Sequence, residues 1–155
     1  MACWVWFSKN VPRWSFITWL AVLERLSTKD QLFRWVVVDS QVCDLCGIRE
    51  ESHRHLFFYF EYSRGVWQSL FARNQIPRQP LELGDELFWK GKGFRSYCYK
   101  LSLTAVVCCL WKERNGSIVQ SKAGAAKAIA KGSFEEVRAK LSYCRALKDS
   151  DQNRQ

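Results

Sequence analysis

The segment from Val42 to Trp67, VCDLCGIREESHRHLFFYFEYSRGVW, constrains this chain more than any other, because it gathers paired cysteines, both histidines and a tight turn. Cys43 and Cys46 form a CxxC turn closed by Gly47, the spacing at which two thiolates converge on one tetrahedral metal. His55 follows after eight intervening residues, within reach of the same ion. Three ligands are therefore expected, Cys43, Cys46 and His55, with zinc as the metal. The rest of the chain reads as helical scaffold.

With 155 residues the chain suits one domain, long enough to bury a core without depending on a metal for all of its stability. Eight tryptophans and 15% aromatic residues argue against a disordered polypeptide. Seven cysteines at irregular spacing, with no apolar leader, do not resemble a secreted disulfide framework, so a reduced intracellular compartment is expected. Cys98, Cys108, Cys109 and Cys144 sit among apolar residues and are expected in the core. The longest apolar run, Leu103 to Trp111, is about half of what a bilayer crossing requires, and no membrane span is expected.

Charge is unevenly placed. Between Leu87 and Lys131 stand Lys90, Lys92, Arg95, Lys100, Lys112, Arg114, Lys122, Lys127 and Lys131 against the single acid Glu113, so this segment carries +8 of the net +9. Such a block suits phosphate contacts with RNA or DNA, with exposed aromatics such as Trp4, Trp6 or Tyr59 stacking on unpaired bases, and it equally suits ordinary solubilising charge. No glycine-rich phosphate loop and no nucleophile with its own base is evident, so the chain is expected to be non-catalytic.

Apolar spacing predicts a helix from Pro12 to about Leu26 with Phe16, Ile17, Trp19, Leu20 and Leu23 on its buried face. Ser27 and Asp30 suggest a cap for a short helix through Leu32, Phe33 and Trp35, after which the β-branched run Val36, Val37, Val38 could extend into the metal loop. Ser52 is placed to cap a turn carrying His55, Leu56 and Phe57. Ser63 is placed to cap a helix through Val66, Trp67, Leu70 and Phe71 that ends near Arg73. The longest helix is expected from Phe94 to Asn115, stopped by Asn115 and Gly116. Ser133 and Glu136 form a capping box for a last helix through Val137, Leu141 and Tyr143. The expected fold class is mainly α, a helical domain with an embedded CxxC...H zinc-knuckle-like loop. Residues 5–74 form the zinc-binding unit, 75–93 a linker, 94–148 a helical extension packing on that unit, and 149–155 a frayed tail.

The succession VPRWSFITWLAVLERLSTKDQLFRW, then the CxxC segment, then LWKERN resembles the zinc-binding domain that follows the reverse transcriptase in plant non-LTR (LINE-type) retrotransposons. The residues that carry the likeness are Trp19, Leu20, Leu26, Thr28, Cys43, Cys46, Gly47, Glu51, His55, Leu56, Phe57, Ser63 and Trp67. The resemblance implies a helical accessory domain that binds zinc through three cysteines and a histidine and helps a reverse transcriptase hold RNA or DNA, in the nucleus if it acts there. Phe60 stands where the family places its fourth ligand. His53, Glu51 or Glu61 could supply a replacement donor. A competing reading is a helical protein-interaction module whose metal site is structural or vestigial.

Overall fold

The first helix, α1 (Pro12–Val22), starts where Val11 is still extended and Pro12 supplies the fixed φ of a first helical turn. The computed structural model describes residues 5–73, 93–120, 132 and 135–140. In chain order there follow α2 (Lys29–Arg34), a π-turn (His55–Tyr59), α3 (Glu61–Arg73) and α4 (Gly93–Gln120). Residues 135–140 are also helical. Among the described residues β pairing is limited to one antiparallel bridge, Val42 with Glu50. The architecture is thus mainly α with the cysteine loop embedded in it, as its sequence predicts. No described helix is long and apolar enough to cross a membrane.

Both early helices end sooner than periodicity suggests, and by the same device. After α1, Glu24 adopts φ 50° while its N–H bonds Ala21 O and the N–H of Arg25 bonds Leu20 O at 2.8 Å. After α2, Val36 adopts φ 57° while its N–H bonds Phe33 O and the N–H of Val37 bonds Leu32 O at 2.9 Å. These are Schellman closures, which satisfy the last carbonyls by turning the chain left-handed. Consequently α1 stops at Val22 rather than Leu26, and the valine run reverses direction instead of forming a strand. A β-branched residue is a poor occupant of that conformation. Val36→Gly is therefore expected to raise stability by about 1 kcal/mol, seen as a higher urea midpoint, and a lower midpoint would count against this account.

The buried face of α1 is rotated from the one expected: Ile17, Trp19 and Leu20 pack half-buried against the core, but Phe16 and Leu23 do not. Trp14, Ser15, Thr18 and Ala21 are buried, whereas Phe16 and Leu23 are 47% and 44% exposed. Small residues on the inner face let α1 lie close along α4, which it contacts extensively. Ser15 belongs there because its hydroxyl donates to Val5 O at 2.6 Å and accepts from Asn10 Nδ2 at 2.7 Å.

The main core joins the π-turn and α3 to α4. Leu56, Phe57, Val66, Trp67, Leu70 and Phe71 pack with Tyr99, Leu103, Val106, Val107 and Leu110 of α4. A second cluster holds Trp14, Leu101, Ala105, Cys108 and Val137. α4 is buried on nearly all sides from Leu101 to Cys108, as its apolar run predicts. It does not stop at Asn115: the helix continues through Gly116 to Gln120, and the Asn115 side chain accepts a hydrogen bond from Arg114 Nη1. Cys108 is buried and Cys98 and Cys109 are half-buried, all as free thiols. Cys144, the linker, Ser133 and the tail lie outside the described residues.

Candidate metal centre

The cysteine loop is a short hairpin. Its arms are joined by the bonds from Cys43 N to Arg49 O at 2.9 Å and from Glu51 N to Gln41 O at 2.8 Å. At its tip the N–H of Gly47 bonds Cys43 O at 2.8 Å, and Gly47 adopts φ 66°, a conformation glycine enters without steric cost. The N–H of Arg49 donates to Cys46 Sγ, 3.4 Å away, and holds that sulfur against the second arm of the hairpin.

His55 comes from the opposite side. Ser52 caps its turn as expected, the Ser52 hydroxyl accepting from His55 N at 3.1 Å. The helix then widens into the π-turn, closed by Phe60 N–H to His55 O at 2.9 Å. This wider turn lets the consecutive residues Leu56, Phe57 and Phe58 all pack inward while His55 faces the thiols. Trp67 secures the arrangement by donating its Nε1–H to Phe57 O at 2.5 Å and stacking on Phe58 with the rings 2° from parallel. α3 starts at Glu61, so Ser63 lies inside its first turn rather than capping it, and the Ser63 hydroxyl donates to Phe60 O.

The donor atoms of Cys43, Cys46 and His55 lie within 4.8 Å of one another, and Cys46 Sγ is 3.5 Å from His55 Nε2. In a tetrahedral zinc site with Zn–S of about 2.3 Å and Zn–N of about 2.1 Å, a sulfur and a nitrogen stand about 3.6 Å apart. The three side chains therefore fit zinc, which would pin the hairpin to the π-turn. Burial pushes the Cys43 thiol up to about 11, with the backbone N–H groups of Cys46 and Leu45 pulling the other way and Glu51 and Cys46 adding to the rise. Cys43 thus carries its proton at neutral pH until a metal displaces it. Burial also lowers His55, which keeps the imidazole in its neutral, ligating form.

None of the replacement donors joins this group. His53 turns away, because two residues along a helical turn is roughly half a revolution. Its Nδ1 lies 3.2 Å from Thr28 Oγ1, and its buried Nε2 has no hydrogen-bond partner among the described residues. Glu51 is fully buried and engaged elsewhere, and the exposed Glu61 begins α3 outside the donor group. Phe60 stacks on the His55 ring at a centroid distance of 5.4 Å and on Tyr62 at 5.6 Å.

Glu51 has a different task. Its Oε1 accepts from Arg114 Nη2 at 2.7 Å, from Arg114 Nε at 3.0 Å and from the backbone N–H of Lys29 at 2.9 Å. One carboxylate therefore ties the hairpin's second arm, the first turn of α2 and the far end of α4. Arg114 also lies 4.9 Å from the centre of the Trp111 ring. Lys29 reinforces the tie from its other end, donating Nζ to Val42 O and pairing with Asp44 at 2.6 Å.

These contacts correct one member of the basic set expected to meet nucleic acid. Arg114 is 3% exposed, so its guanidinium serves the fold and is closed to phosphates. Lys112 is exposed and stands 4.0 Å from Glu136, and Lys100 is half-buried on α4. Lys90, Lys92, Lys122, Lys127, Lys131 and the Arg95 side chain lie outside the described residues. The Glu51–Arg114 tie was foreshadowed only by the acid ahead of His-Leu-Phe and by the LWKERN string, neither of which names its partner.

No curated protein and no solved structure matches the chain. Residues 1–67, which hold all three donors, match the family model for zinc-binding in reverse transcriptase.

Proposed function

We propose that this chain is a non-catalytic zinc-binding module of the kind associated with plant LINE-type retrotransposons, holding RNA or DNA for a reverse transcriptase. The observation that carries the reading is the convergence of Cys43, Cys46 and His55 inside the segment that matches the family. Zinc would cross-link the hairpin tip to the π-turn, and so would stiffen the surface offered to a nucleic acid. A second reading, a metal-free protein-interaction module, draws on the exposed side chains of Trp35, Val36 and Val37 at 60%, 89% and 65%.

Metal analysis of protein purified without chelators separates the two. Roughly one zinc per chain is expected for the wild type, falling at least tenfold in Cys43→Ser, because that substitution removes one of three ligands. A wild type free of zinc would leave the metal reading without support. In a gel-shift titration at low salt with single-stranded RNA and DNA, retardation is expected, and its absence would remove the nucleic-acid assignment.

A further inference from the structure

Beside the metal donors runs an open groove of about 750 Å³, within the range of small-ligand sites. Cys46, Arg49, His55, Tyr59, Arg64 and Gln68 line it. Tyr59 is the last residue of the π-turn, and the fold leaves it 58% exposed although its neighbours Leu56 and Phe57 are buried. Arg49 and Arg64 are exposed, and among the described residues neither forms a salt bridge. Glu61 also borders the groove, so two guanidiniums face one carboxylate and the balance is positive.

Resting on the nucleic-acid reading above, we propose that this groove is the seat of an unpaired nucleotide in a single strand. Tyr59 offers a ring for the base to stack on, Arg49 and Arg64 offer charge-assisted hydrogen bonds to the flanking phosphates, and the Gln68 amide offers both a donor and an acceptor to a base edge. A duplex is a poor occupant, because its bases are already stacked on each other. The π-turn couples this groove to the metal: its first residue supplies the imidazole and its last supplies the stacking ring. A positively charged groove with an aromatic platform favours a polyanion with π faces over an acidic protein, which has charge without bases.

The test is fluorescence anisotropy of the full chain with a labelled, uracil-rich RNA of roughly twelve nucleotides, single-stranded or annealed to its complement. Tyr59→Ala is expected to weaken single-strand binding about tenfold and to leave duplex binding unchanged, with Tyr59→Phe retaining affinity. The double variant Arg49→Gln, Arg64→Gln is expected to reduce the slope of log K against log salt by about 1.4, the value for two phosphate contacts on a single strand. Trp35→Ala removes a comparably exposed ring in a separate cavity bordered by Arg25 and Arg34, and should change nothing. Wild-type binding that survives both groove substitutions, or that is lost with Trp35→Ala instead, overturns the groove assignment while leaving nucleic-acid binding standing. Failure of the wild type to bind at low salt removes both. Unchanged circular dichroism and zinc content of the variants show that a loss of binding is not a loss of fold.

Discussion

Arg114→Met is expected to destabilise the protein by about 3–5 kcal/mol, enough to remove a large part of the stability of a domain this size. The cost comes less from the lost attraction than from what remains. Glu51 has a fully buried side chain, and the substitution takes away its only charged partner among the described residues, leaving the Lys29 N–H as the remaining donor among them. A buried carboxylate in that state is strongly disfavoured. The double variant Glu51→Gln, Arg114→Met should recover much of the loss, because a neutral amide can still accept from Lys29 and no charge is left behind. Urea denaturation of the four proteins in the cycle measures the coupling directly. An Arg114→Met cost below about 1 kcal/mol would mean that the pair is not holding α4 to the hairpin. A second consequence concerns the metal. Glu51 anchors the arm of the hairpin opposite Cys43, so the Arg114→Met protein is also expected to hold zinc more weakly, although residue 114 touches no ligand.

Phe60→Cys is expected to act with opposite sign in the presence and absence of zinc. Without metal it removes two ring stacks, on His55 and on Tyr62, and should cost about 1–2 kcal/mol. With zinc it supplies a thiolate at the residue whose N–H already closes the His55 turn, converting an open three-ligand site into a closed one. Four-ligand structural sites bind with roughly 10–16 kcal/mol, so a fourth of that, about 3 kcal/mol or 100-fold in affinity, is the expected gain. Melting curves should therefore cross: the variant melts below the wild type in chelator and above it in zinc. Parallel shifts under both conditions would show that residue 60 does not reach the metal.

Both expectations depend on features of unequal legibility. The CxxC turn with Gly47 and the Ser52 cap were readable because each is set by residues a few positions apart, where backbone geometry dictates the outcome, and His55 was readable from its spacing to that turn. The apolar run of α4 was readable for a related reason, since a helix buried on nearly all sides has no polar face to misplace. The inner face of α1 was readable only in part. Ile17, Trp19 and Leu20 do pack on the core, yet close approach to α4 places Ser15, Thr18 and Ala21 innermost and leaves Phe16 and Leu23 outside, a choice made by the partner helix.

The helix ends show the same division. Nothing local marks Glu24 or Val36 for a left-handed backbone, because neither is glycine or asparagine, and closure there follows from the direction the chain must take next. His53, offered by the sequence only as a replacement donor, is sent away from the thiols by the helical turn that aims His55 at them. Arg114 looked like every other cation in a basic segment.

By itself, then, the sequence determined a helical chain with two thiols and one imidazole at metal-ligand spacing, since short-range spacing and hydrophobic period carry that information. Tertiary structure alone decided that Glu51 and Arg114, 63 residues apart, would share one buried contact, and that Tyr59 would be left facing a groove beside the metal donors. Burial is a property of what packs around a residue, and a charge or a ring acquires its role only when that packing is complete.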